Sequence, residues 1–151
     1  MLTKQITFSI DQLRDVARVI YDQCMRSGCR VVGLTGPLGA GKTTLTRALL
    51  RHAGVQDEVI TSPTFTYVNV YRTKHQTFYH FDLYRLTSID DFMLQGFDEY
   101  VDDLESICFI EWPEIIEPLL TMRDDVCMFK LIHTNDTQRT LIVEDNDDER
   151  E

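Results

Sequence analysis

The chain has 151 residues, a net charge of −10 and 43% hydrophobic residues. That length supports one domain with a real core, and no apolar run approaches the length of a membrane span. An acidic domain is poorly suited to hold a polyanion by itself, so any nucleic-acid role is expected to run through a protein partner.

The segment Met1-Leu2-Thr3-Lys4-Gln5-Ile6 lacks the apolar core of a signal peptide, which makes the cytoplasm the expected location. Residues 1–144 are expected to form the domain. Residues 145–151 have no apolar anchor and are read as a disordered acidic tail. The four cysteines, Cys24, Cys29, Cys108 and Cys127, include no C-x-x-C pair, which argues against zinc. Disulfides are not needed at this size, and reduced thiols are expected in the cytosol. Cys108 lies in an apolar run and is expected in the core.

In chain order, Lys4 to Phe8 is a first strand. Ser9 comes next as a helix N-cap, with Gln12 at the capping-box position. Leu13, Val16, Ala17, Ile20 and Cys24 keep helical spacing, and Gly28 ends that helix. Arg30 to Thr35 suits a buried strand. Thr44 to Leu50 suits a helix, with Leu45, Ala48 and Leu49 on one side and Gly54 beyond it. Ser62 to Phe65 is a loop around Pro63. Phe65 to Tyr71 and Thr77 to Leu83 are rich in β-branched and aromatic residues. The short polar link between them predicts an antiparallel hairpin. Ser88 caps a short helix that Gly96 ends, with Asp98-Glu99-Tyr100 as an exposed helix end. Ser106 to Glu111 is an apolar run ending in a carboxylate, and Pro113 and Pro118 break up the segment after it. Val126 to His133 and Thr140 to Val143 form a terminal hairpin. The predicted class is α/β: one P-loop domain whose mixed sheet gains antiparallel hairpins and is flanked by helices.

Between the second strand and the second helix, Gly36-Pro37-Leu38-Gly39-Ala40-Gly41-Lys42-Thr43 matches G-x-x-x-x-G-K-[ST]. Glycines let the backbone turn its N–H groups toward one anion, and the helix start adds its positive dipole end. Lys42 is expected to reach the β- and γ-phosphates, contributing charge and little packing, and the Thr43 hydroxyl to ligate Mg²⁺. Such a loop needs an acidic partner at the end of a neighbouring strand. Glu111 fits, at the end of its apolar run. Asp82 is the second candidate, because alternation sets His80 and Asp82 on one face and Phe81 and Leu83 on the other. It would hold a metal-bound water or orient the attacking water, or it would simply pair with Arg85. His80 reads as a packed, hydrogen-bonded residue. Thr64 sits where P-loop proteins often place a γ-phosphate switch, although spacing alone makes it a turn residue. Trp112 is either core or a cap on the nucleotide site or a partner surface. Arg139 lies in a turn, solvated unless the fold carries it to the nucleotide. Neither N-K-x-D nor D-x-x-G is present, so ATP is favoured over GTP.

GPLGAGKTT (Gly36 to Thr44), SPTF (Ser62 to Phe65), HFDLYRL (His80 to Leu86) and IEWPE (Ile110 to Glu114) resemble, in this order, the TsaE (YjeE) family of tRNA threonylcarbamoyladenosine biosynthesis. The resemblance runs from about residue 9 to 140. It implies a protein that binds ATP–Mg²⁺, hydrolyses it slowly alone and joins a TsaB–TsaD complex, reaching tRNA only through those partners. TsaD transfers the threonylcarbamoyl group there, and the ATPase is thought to reset the complex between turnovers. It implies that Leu38, Gly39, Ala40, Gly41, Lys42, Thr43 and Thr44 hold the nucleotide, and that Thr43 and Glu111 hold Mg²⁺. Asp82 would lie beside the metal, Thr64 in a mobile switch and Trp112 next to the metal carboxylate. Ile10, Asp11 and Arg139 would border the adenine. Pro37 departs from the Asp or Glu that many members carry there. A small-molecule kinase is a competing reading, but Arg72 and Arg85 do not make an arginine-dense lid. A nucleotide-gated binding module without turnover is another.

Overall fold

The computed structural model describes residues 4–61 and 66–144. Ser62 to Phe65, with the expected switch residue Thr64, and the acidic tail lie outside the described residues.

Seven strands form one mixed sheet. They are β1 (Gln5–Ser9), β2 (Val31–Thr35), β3 (Val68–Arg72), β4 (Thr77–Asp82), β5 (Ser106–Glu111), β6 (Val126–His133) and β7 (Gln138–Glu144). Their order across the sheet is β1-β7-β6-β2-β5-β4-β3. The centre is parallel: β2 pairs with β5 and β6, and β4 with β5. Antiparallel pairs, β3 with β4 and β1 with β7, close the two edges. Both predicted hairpins form, since β6 and β7 also pair antiparallel. Four residues link the strands in each hairpin, and so short a link can join antiparallel neighbours but cannot cross over a sheet.

Side chains alternate between two cores. On one face, Val32, Leu34, Phe78, Ile107, Phe109 and Phe129 pack with α1 (Leu13–Arg26) and α2 (Lys42–His52). On the other, Val31, Tyr79, Phe81, Cys108 and Ile110 pack with α3 (Ile89–Leu94), α4 (Phe97–Asp102) and α5 (Glu117–Leu120). The result is a helix–sheet–helix sandwich. Cys108 is in the core as expected, 1% exposed. On α1, Val16, Ala17, Ile20 and Cys24 are buried, each large aliphatic among them contributing roughly 1.5–3 kcal/mol.

The local punctuation reflects the residue chemistry. The Ser9 backbone N–H donates to Gln12 Oε1 at 2.9 Å, and a 3₁₀ turn over Ile10–Gln12 leads into α1. Ser88 Oγ accepts from the Asp91 N–H at 3.1 Å. Gly28, Gly54 and Gly96 have positive φ at the ends of α1, α2 and α3. Two expectations need correction. Gly96 does more than stop α3, because a second helix, α4, starts straight after it. Asp98, Glu99 and Tyr100 lie inside that helix, whose Phe97 and Val101 are buried. The cysteines also depart from the reduced state expected of them: Cys29 and Cys127 are joined by a disulfide across a sequence separation of 98. Residues that far apart in sequence become neighbours only through the β2–β6 pairing, where Val32 faces Cys127.

Candidate nucleotide-binding site

The phosphate loop leaves the C-terminal end of β2, where ligands collect in open α/β sheets. Gly36 has φ +130°, and a Cβ there would collide with the Leu131 carbonyl oxygen of β6. Gly41 has φ +103° at the N-cap of α2. Both positions therefore require glycine. The next strand ends come from register. Leu34 pairs with Glu111 on β5, and Glu111 with Asp82 on β4. Loop and carboxylates thus meet at one edge of the sheet, on the face covered by α2.

A cavity of about 290 Å³ opens there, lined by Leu38, Gly39, Gly41, Lys42, Thr43, Thr44, Asp82, Tyr84, Glu111 and Trp112. The Thr43 hydroxyl donates to Glu111 Oε1 at 2.7 Å. His80 Nε2 lies 2.5 Å from Glu111 Oε2. His80 is fully buried and Glu111 is 2% exposed, so this carboxylate is held at both oxygens. Asp82 Oδ1 accepts from the Tyr84 N–H at 3.1 Å. Burial pushes the Asp82 carboxyl above its usual range, and the Glu111 charge adds to that while the Tyr84 amide opposes it.

Lys42 corrects one expectation. It is a packed residue, 5% exposed. Its Nζ donates to the Gly36 carbonyl at 2.5 Å and the Pro37 carbonyl at 2.9 Å, and it sits 3.9 Å from the Trp112 ring centroid. Burial pushes its ammonium below the usual lysine range, opposed by Glu111, Glu114 and Asp82. Trp112 has φ +58°, a conformation costing on the order of 1–2 kcal/mol for a residue with a Cβ. The Lys42 contact and Tyr84, whose ring centroid is 4.9 Å away, hold the indole over the loop.

The family model for threonylcarbamoyl adenosine biosynthesis protein TsaE matches residues 7–141. The chain belongs to the TsaE family. A TsaE protein of Treponema pallidum is 48% identical over 103 residues, 67% of this chain and 73% of that protein. One of Haemophilus influenzae is 45% identical over 94 residues, 62% of this chain and 58% of its own length. One of Rickettsia felis is 43% identical over 91 residues, 60% and 52% respectively. The aligned region thus spans little more than half the length of several of these relatives. The crystal structure of YdiB from Bacillus subtilis shares the fold, with a TM-score of 0.63 at 24% identity over 95% of this chain and 86% of that one.

Most of the residues singled out in the sequence meet at this cavity. Leu38, Gly39, Gly41, Lys42, Thr43, Thr44, Asp82, Glu111 and Trp112 share one cavity. Ala40 is buried beneath it, 1% exposed. Arg139 is carried to the loop by β7, where its Nε donates to the Ala40 carbonyl at 3.1 Å. Ile10 and Asp11 line a neighbouring groove that meets the phosphate cavity at Thr44. Asp98, Glu99 and Tyr100 do not line the cavity. Sequence reasoning missed Tyr84, which the alternation His80, Asp82, Tyr84 could have found. It also missed the His80–Glu111 contact, which only strand register reveals.

The oxygen donors fit a hard cation: a hydroxyl and a carboxylate 2.7 Å apart, with a second carboxylate on the adjoining strand end. Thr43 and Glu111 are the residues that could hold such an ion.

Proposed function

We propose that this chain binds and slowly hydrolyses ATP with Mg²⁺, and that it does so as a partner of a TsaB–TsaD complex in tRNA N6-threonylcarbamoyladenosine formation in the cytoplasm. The observation that carries the proposal is the convergence of the glycine loop, Lys42, Thr43, Glu111, Asp82 and Trp112 in one cavity, in a chain of the TsaE family. Bound Mg²⁺ would neutralise phosphate charge and polarise the γ-phosphoryl group. The residues supply the rest. The loop backbone and the start of α2 bind phosphate oxygens. Lys42 turns from the Gly36 and Pro37 carbonyls to the β- and γ-phosphates. Asp82 orients the attacking water, and its burial makes it the better proton acceptor. The Ile10 and Asp11 groove takes the base side, and Arg139 braces the loop from behind. Thr64 serves as the γ-phosphate-sensing switch.

His80 acts through Glu111 as a positioning residue. His80→Ala is expected to raise the Mg²⁺ concentration needed for half-maximal hydrolysis about tenfold, with metal-free ADP affinity unchanged and partial rescue by His80→Gln. A lower melting temperature with an unaltered Mg²⁺ requirement would leave His80 with a packing role only.

The chain is acidic, with a net charge of −10, and the purified protein is expected to bind tRNA weakly or not at all at physiological salt. A tight gel shift by the chain alone would contradict this. The test of the whole reading is a multiple-turnover modification assay with purified TsaB–TsaD, threonylcarbamoyl-adenylate and tRNA, where the chain plus ATP should sustain repeated rounds. Equal rates with and without the chain would refute the partnership. Phosphate release with no partner present separates the ATPase from a binding module without turnover.

A further inference from the structure

Away from the phosphate loop, the fold gathers three sulfurs. Cys24 is in the last turns of α1, Cys29 comes directly after the Gly28 turn, and Cys127 is on β6. Their Sγ atoms all lie within 4.8 Å of one another. Cys29 and Cys127 form the disulfide, with Cα atoms 6.1 Å apart, inside the span such a bond allows. Cys24 is a free thiol, 2% exposed, and burial pushes it up to about 12. Cys29 is 6% exposed, whereas Cys127 is only half-buried.

We propose that Cys24, Cys29 and Cys127 form a thiol–disulfide exchange site whose co-reactants are dithiol reductants and small-molecule disulfides. Cys127 is the sulfur reached from outside, and Cys24 is the thiol to which the bond can pass. In the reductive direction, an external thiolate attacks Cys127 Sγ and the Cys29–Cys127 bond breaks. Cys29 leaves as a thiolate and takes up a proton. The second thiol of the reductant then resolves the mixed disulfide, so two electrons and two protons reach the protein as the dithiol becomes a disulfide. In the internal direction, the Cys24 thiolate attacks Cys29 Sγ and Cys127 leaves, accepting the proton that Cys24 gave up. No net oxidation occurs. Because burial keeps Cys24 protonated, this transfer is slower than attack from outside.

Burial also favours this chemistry over a metal. Among the described residues the cluster offers three ligands, where a structural zinc takes four. Three thiolates around a divalent ion would leave a net negative charge in an apolar core, a cost the neutral disulfide does not carry. The cluster and the phosphate loop sit at opposite ends of β2, with the four residue steps from Val31 to Thr35 spanning about 13 Å. Nucleotide affinity, which rests on the function proposed above, therefore serves as an internal control, and the disulfide mapping stands without it.

The experiment is disulfide mapping of the full chain, equilibrated in glutathione buffers from reducing to oxidising, then alkylated, digested and analysed by mass spectrometry. At the oxidising end a Cys29–Cys127 peptide pair is expected, with Cys24 and Cys108 alkylated after unfolding. At the reducing end all four cysteines should be alkylated. Loss of a crosslink closing a loop of this length should lower Tm on the order of 10 °C, with ADP affinity unchanged. The three-sulfur character is read from variants. Cys127→Ser should form Cys24–Cys29 under the same oxidising buffer, and Cys29→Ser should form Cys24–Cys127. Wild-type mapping stands by itself if a variant fails to fold. Four free thiols across the whole buffer range would overturn the proposal, as would oxidation that gives only intermolecular dimers. Stoichiometric Zn²⁺ binding by the reduced chain that protects these three thiols would overturn it in favour of a metal site.

Discussion

Replacing Lys42 by alanine is expected to lower ATP hydrolysis on the order of 10²- to 10³-fold, which corresponds to about 3–4 kcal/mol of transition-state stabilisation. The ammonium is the cationic side chain lining the cavity, and its present partners are two carbonyls and an indole face. Each of these contacts is weaker than a charge-assisted bond to a phosphate, so nucleotide can draw the side chain over. Because Lys42 is buried rather than exposed, the alanine variant also loses packing of the stem. Lys42→Met keeps that stem and separates the two effects: it should restore thermal stability but not hydrolysis. Stability is expected to change by about 1 kcal/mol or less, since the freed carbonyls lie on a loop that water reaches. Titration of Trp112 fluorescence with ADP and ATP, using the single tryptophan of the chain, should show weakened binding, more for ATP than for ADP. Wild-type turnover in either variant would remove the phosphate-loop assignment.

Local chemistry made most of the elements legible. The periodicity of Val16, Ala17, Ile20 and Cys24 is a helix in any context that buries one face. The four polar residues between β3 and β4 permit little except a hairpin. Short elements escaped. The helix α4, with its pattern Phe97, Tyr100, Val101, is six residues long, too few for a 3.6-residue period to stand out from a loop. Contacts set by topology escaped as well. Nothing in the spacing of four cysteines marks Cys29 and Cys127 as partners, because their meeting depends on β6 lying beside β2.

The candidate site divides in the same way. Glu111 stood out because a phosphate loop needs a carboxylate at the end of a neighbouring strand, where ligands collect in open α/β sheets, and Asp82 because alternation sets it with His80 on one face of its strand. Their shared position is a matter of register, which sets Asp82 opposite Glu111 and places His80 against the same carboxylate. His80 was readable as packed and hydrogen-bonded. Its partner was not readable, since 31 residues separate the two in sequence. Arg139 shows the same limit: the sequence reads it as a turn residue, yet it lies on β7, and the β6–β7 and β2–β6 pairings bring it to the loop at Ala40.

Glu111 is where stability and activity separate most clearly. Glu111→Gln keeps the volume, and its amide oxygen can still accept the Thr43 hydroxyl now 2.7 Å from Oε1. It loses the negative charge. Hydrolysis is expected to fall on the order of 10²- to 10³-fold through lost metal positioning, with a much smaller effect on ADP binding measured without metal. The stability cost should stay near 1 kcal/mol. Glu111→Ala removes the acceptor altogether, leaving Thr43 and the fully buried His80 without it. That variant should lose about 3 kcal/mol or more of stability, with an activity defect no deeper than that of the glutamine variant. Chemical denaturation, together with hydrolysis measured against Mg²⁺ concentration, distinguishes the two losses. If Glu111→Gln hydrolyses ATP with the wild-type Mg²⁺ requirement, the charge of Glu111 serves only the fold, and the metal must be held elsewhere, with Asp82 as the next carboxylate on the same edge of the sheet.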